Sequence, residues 1–158
     1  MAAKQELVGG LEFLIQEGRR IGAAFDDAKW STVVDGLDGW KNKEVLAHVA
    51  GIGTVGIPFL QNMVDAGPAS DGRANLDLDA LNASLVAARA EKSVGELVDE
   101  IATTYGSVIE FVKSKPEDFW SQKRTFGGFK DVPISELGMG SVVLHGLGHI
   151  YSAYAATV

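Results

Sequence analysis

The chain contains three histidines, His48, His145 and His149, and no cysteine. Imidazole can hold a divalent metal or carry a proton near neutral pH, so the placement of these three residues decides much of what the chain can do. His145 and His149 are four residues apart, which on a helix puts them about 40° apart on one face and one turn apart along the axis. Both rings can then turn toward one point. His48 falls on an apolar face in which Val45, His48, Ile52, Val55, Phe59 and Met63 recur at steps of three and four.

If the helix of His48 faces the helix of the pair, the three imidazoles form a facial set for one divalent metal. Neutral nitrogen donors suit Zn, Ni, Cu or Fe, and three protein ligands leave a position open for water or substrate. Each piece also has a plainer reading. His48 alone reads as a hydrogen-bonded core histidine, and the H-x-x-x-H pair alone as a solvated helix face. The coincidence of every histidine in the chain on an inward face favours the shared site. Glu44, one turn before His48, is a candidate to orient that imidazole or to act as a base, against the plainer reading of a solvated carboxylate at a helix start.

The absence of cysteine means that any thiol chemistry must use a thiol brought from outside, and that no disulfide framework supports the fold. With 158 residues, 46% hydrophobic and 22% charged, the chain can bury a core of its own and reads as a single domain over 1–158. A formal net charge of -7 has the wrong sign for gripping phosphate backbones or anionic lipid, so nucleic acid and membrane surfaces are not expected partners. The first twenty residues interleave acids and Gln with apolar residues, unlike a signal peptide, and the longest apolar run, residues 49–60, is too short to span a bilayer. A cytoplasmic location is expected.

Four long helical patterns must position the histidines. The first runs from about Lys4 to Asp27 with Leu7, Leu11, Leu14, Ile15, Ile21 and Phe25 at helical intervals. The second starts after DGW at 38–40, with Lys41 at the N-cap, Glu44 at N3 and Trp40 and Val45 placed for a hydrophobic staple. A polar loop at 66–75 precedes a shorter helix over 77–92. A third long helix over 93–114 opens on a capping box, Ser93 before Glu96, and ends before Pro116. Residues 115–132 show no helical period and read as a long loop packed by its aromatics. Pro133 suits the first turn of the last helix, and 138–156 is expected to be one continuous helix despite its glycines. The pattern predicts an all-α four-helix bundle with an extra short helix before the third long one, its site built from facing helices.

Glycines complicate both histidine helices. Gly146 and Gly148 flank the late histidines, where missing side chains would let another helix or a substrate come close. Close helix packing alone accounts equally well for Gly138 and Gly140. Residues 51–56, GIGTVG, match the G-x-G-x-x-G of dinucleotide-binding folds, but no alternation of strands and helices surrounds them and Pro58 follows at once, so the run reads as part of the His48 helix.

GWKNKEVLAHVAGI at 39–52, DLDALNASLVAARAEKSVGELVDEI at 77–101 and the closing H-x-x-x-H resemble the DinB-like metal-dependent helix bundles, particularly the branch similar to the N-terminal domain of mycothiol-dependent maleylpyruvate isomerase. The most specific features are the Trp followed eight residues later by His and the late histidine pair. The resemblance implies that His48, His145 and His149 bind one divalent metal, Zn or Ni foremost, with a homodimer as a further implication. In the isomerase branch the first late ligand is a Glu where this chain has His145, and the usual Ser or Thr cap after the tryptophan is Lys41. The chain stops nine residues after His149, so no second domain like the isomerase's is expected.

The resemblance implies activation of an external low-molecular-weight thiol for transfer to an electrophilic small molecule, the metal lowering the pKa of whatever fills its open position. Two alternatives stay open. One is hydrolysis by activated water, and the other is a non-catalytic binding protein that keeps the bundle. A plain bundle with structural histidines is the remaining reading.

Overall fold

The computed structural model describes residues 2–37, 39–65 and 77–158; the expected polar loop at 66–75 lies outside them. Four long helical segments form the bundle: α1 (Ala2–Ala24), α3 (Asn42–Asp65), α5 (Val94–Ser114) and the run from α7 (Ile134–Gly138) through a π-helical stretch (Met139–Leu144) to α8 (His145–Ala155). Short helices α2 (Asp27–Trp30), α4 (Leu78–Ala87) and α6 (Glu117–Ser121) lie between them.

In α1 the buried residues Leu7, Leu11, Leu14 and Ile21 follow the spacing that makes an inward stripe, and Phe25 closes it beyond the helix end. α1 lies along α5, α5 along α3, α3 along α8 and α8 back against α1, so the helices form a closed ring. The two helices bearing histidines are therefore neighbours. Ser93 caps α5 through a reciprocal capping box with Glu96, as its sequence predicts. Lys41 has no acceptor to offer at the start of α3, but its backbone N–H donates to Glu44 Oε2 at 2.8 Å, which supplies half of the box.

The segment 115–132, expected as an irregular loop, holds α6 and an antiparallel hairpin instead. β1 (Lys123–Phe126) pairs with β2 (Phe129–Pro133) across Gly127 and Gly128. Both glycines have positive φ, 58° and 85°, which a tight two-residue turn demands and L side chains resist. Arg124 of β1 is buried and donates to the carbonyls of Met63 and Val64, satisfying otherwise orphaned acceptors at the end of α3 and pinning the hairpin there.

The GIGTVG run lies inside α3, as read. The apolar run at 49–60 proves to be part of a 24-residue helix that is, by length and composition, long enough to cross a bilayer; 61% of the relevant window is buried within the protein, as in a core helix.

Candidate functional site

His48 is set by the chain entering α3. Asn42 is fully buried and its Nδ2 donates to the Lys29 carbonyl at 2.8 Å, while the Val34 and Asn42 N–H groups donate to the carbonyls of Trp40 and Thr32. This ties the start of α3 to α2. His48 follows on the inward face, 1% exposed, with the Trp40 ring 5.3 Å away between centroids. One residue on, the Val49 carbonyl accepts from the hydroxyl of Tyr105 at 3.0 Å. Tyr105 of α5 is itself wholly buried, so this bond satisfies its only polar atom and locks α3 against α5 beside His48.

His145 and His149 arrive on the last helical run. From 134 to 155 the chain stays helical, yet it is not α-helical throughout: a π-helical stretch, 139–144, ends at His145, and the two histidines then share α8 without a break. At Gly146 a side chain would stand 2.6 Å from Leu14 and 3.3 Å from the Tyr105 hydroxyl, so this glycine lets α8 settle onto α1 and α5. At Gly148 a side chain would meet nothing.

The structure brings all three imidazoles together. His48 Nε2 and His145 Nε2 are 3.0 Å apart, and one nitrogen from each ring lies within 4.8 Å of the others. Ring centroids are separated by 4.7 Å for His48–His149, 4.6 Å for His145–His149 and 5.3 Å for His48–His145. The expected inward face is covered unequally at the three positions. His48 is buried and His149 half-buried, but His145 is exposed at the rim, because the space beside it opens to solvent.

Burial, and then the neighbouring rings of His149 and His145, push the His48 pKa down to about 3. Burial and His145 push His149 down to about 4, and the desolvation of the His145 ring where it turns in against the other two lowers His145 as well, although the residue reaches solvent at the rim. The cluster is thus neutral near pH 7, so each ring has one lone pair to offer, and His48 Nδ1 is buried without a partner among the described residues. Three unprotonated imidazoles, with one nitrogen from each within 4.8 Å of the others, are a donor set suited to a divalent cation. Glu44 stands one turn before His48, its carboxylate taken up by the Lys41 N–H.

A cavity of about 450 Å³ begins at His145 and runs between α3, α4, the π-helical stretch and the hairpin. The residue pattern marks only part of its walls, and it does not mark Tyr105 as a site residue. Phe59 and Met63 lay on the His48 face and signalled one wall, and a lone Tyr in the apolar stripe of α5 signals a buried hydroxyl that needs a partner. Phe126, stacked edge-on against Phe59 at 5.4 Å, carried no such signal.

A family model described as the mycothiol maleylpyruvate isomerase N-terminal domain matches residues 11–138, a range that includes His48 and ends before His145. Among solved structures, the chain is similar to "Sibling Lethal Factor Precursor - DfsB" with a TM-score of 0.70 at 15% identity, over 96% of this chain and 93% of that one. It is similar to a mutant of mycothiol-dependent maleylpyruvate isomerase with a TM-score of 0.64 at 15% identity, and to that isomerase itself with 0.60 at 16%. Both of the latter comparisons cover 91% of this chain, which spans 59% of the isomerase chains. Likeness at such identities establishes a common fold. No curated protein matches the chain.

Proposed function

The chain belongs to the mycothiol maleylpyruvate isomerase N-terminal domain family, and we propose that it binds one divalent metal ion, Zn or Ni, through His48, His145 and His149 and activates an external low-molecular-weight thiol for transfer to an electrophilic small molecule. The observation that carries this reading is the convergence of all three histidines, one of which, His145, also lines the cavity, in a chain that has no thiol of its own.

A divalent ion held there supplies Lewis acidity, which lowers the pKa of a thiol or water that reaches it. The residues of the chain do the rest. His48 offers a rigid donor, since its helix is held by Asn42 and by the Tyr105–Val49 bond. His149 sits one turn beyond His145 and completes the set from the same helix. His145, at the rim, leaves the approach open from the solvent side. The apolar cavity walls exclude water from a bound electrophile, which favours attack by thiol over hydrolysis.

Elemental analysis of protein purified without added metal, and of the His48→Ala, His145→Ala and His149→Ala variants, tests the first half. About one ion per chain is expected in the wild type, with a loss of affinity in each variant. A wild type that takes up none of Zn, Ni, Mn or Fe ends the proposal. The second half predicts that metal-loaded protein accelerates conjugation of a thiol to an electrophile with a rate that saturates in thiol. Added thiol that instead inhibits ester or amide hydrolysis identifies a hydrolase, and intact metal binding without turnover of either kind identifies a binding protein.

A further inference from the structure

The cavity has a chemistry of its own, separate from that of the histidines. Along α3 its wall is laid down by Ile52, Val55, Phe59 and Met63, the continuation of the His48 face. The eleven-residue step from Ile52 to Met63 makes this wall about 16 Å long. The last helical run contributes Gly140, Ser141 and Val142, which precede His145, so its wall also leads away from the histidines. The histidine cluster therefore stands at one end of an elongated space.

Among the described residues that line it, His145 is the only one with a titratable side chain. No Lys, Arg, Asp or Glu contributes, and apart from His145 the polar side chains are the uncharged Asn62, Asn82 and Ser141. The remaining walls are aliphatic or aromatic, and the volume is that of a small-molecule site. An ionised group carried into this space would lose hydration with no opposite charge among the described lining residues to replace it. A divalent ion at the histidines would put its charge at that end only, with none to balance an anionic group farther along the cavity. We infer that the cavity takes an uncharged, elongated, largely apolar small molecule whose reactive end lies at the histidine cluster, and that it rejects dicarboxylates. Only the placing of the reactive end rests on the function proposed above.

Two probes with one carbon skeleton test this: dimethyl octanedioate, which is neutral, and octanedioate, a dianion. Both are titrated into metal-stripped and metal-loaded protein in about 0.5 M NaCl, so that the net charge of the chain is screened. The ester is expected to bind metal-stripped protein about tenfold or more tightly than the dianion, by the desolvation argument. Its chemical-shift changes should fall on Ile52, Val55 and Gly140. A Cβ at Gly140 meets nothing within 4 Å, so Gly140→Leu starts from open space at a residue that lines the cavity. It should weaken ester binding by about tenfold or more while metal uptake stays at the wild-type level. Val55→Trp, on the opposite wall, should do the same if Gly140→Leu fails to fold.

Dianion binding equal to or tighter than ester binding overturns the inference, as does undetectable ester binding or an ester affinity that neither variant changes. Because the metal-stripped arm needs no ion, a wild type that never takes up metal defeats the proposed function and leaves this result standing.

Discussion

Two glycine-rich stretches meet across the histidine cluster, and they use the same residue for opposite ends. In α3, Gly51, Gly53 and Gly56 are all pressed by neighbours: a Cβ would stand 2.8 Å from Leu85, strike Thr104, and reach within 3.0 Å of Val108, respectively. These glycines draw α4 and α5 onto α3 and sink His48 into a dry interior. In the last helical run the glycines divide. Gly138 and Gly146 are pressed in the same way, by Leu7, Leu60 and Leu14, while Gly140 and Gly148 face open space. One stretch is a crossing and the other is a crossing interleaved with room. The difference explains why one histidine is buried and its partner His145 stands at an accessible rim.

Acid is expected to break the buried side of this arrangement most severely. The pKa values of His48 and His149 are depressed in the folded state, to about 3 and about 4, relative to about 6.5 when unfolded. The unfolded chain therefore binds protons in that window while the native cluster does not. Stability of the metal-stripped protein is fully present above pH 6.5 and falls progressively as the pH drops toward 3. Urea midpoints measured from pH 7.5 to 4 should show the slope, and His48→Gln should flatten it. An equally steep slope in that variant would place the acid sensitivity elsewhere. Saturating Zn should raise the midpoint at pH 7, and that gain should vanish as the imidazoles protonate.

The crossing itself is the next target. Gly53→Ala drives a methyl group into Thr104 and to 2.9 Å from the Tyr105 ring, and both neighbours sit on α5 where backbone would have to shift. Overpacking of this kind costs about 1–3 kcal/mol, against about 1 kcal/mol regained from helix propensity. Net destabilisation in urea is expected, together with weaker metal binding, because Tyr105 holds the Val49 carbonyl next to His48. A fully stable Gly53→Ala protein would mean that α3 and α5 do not cross as closely as described.

How much of this could be read from residues alone follows from how local each cause is. The long helices were legible because an amphipathic period is written along one segment, and Ser93 with Glu96 announced its own cap. The three histidines pointed at one another through the same periodicity. The hairpin at 123–133 was not read, although Phe-Gly-Gly-Phe carries a two-residue turn signal: its strands are too short, and too mixed in pattern, to outweigh the surrounding loop character. The π-helical stretch left no mark, since α and π turns use the same residue types and packing on both sides selects between them. For the same reason no inspection of Gly140, Gly146 or Gly148 by itself separates contact from room, which depends on what faces each one.

The finest test uses two positions two residues apart. Gly148 lies between His145 and His149, where a methyl group meets nothing within 4 Å, so Gly148→Ala should only restrict the unfolded chain and stabilise the protein by about 0.4–1 kcal/mol. At Gly146 the same methyl group would stand 2.6 Å from the Cδ1 of Leu14, a side chain buried to 0% exposure with nowhere to swing, and 3.3 Å from the Tyr105 hydroxyl. There the propensity gain is outweighed, and a net loss of about 1 kcal/mol is expected. Metal stoichiometry should be unchanged in Gly148→Ala, because that position touches no neighbour that orients an imidazole. Opposite signs from one chemical change on one helix would separate contact from room directly; gains at both positions would show that α8 is free to move away from α1, and the close seat of His145 and His149 against His48 would lose its support.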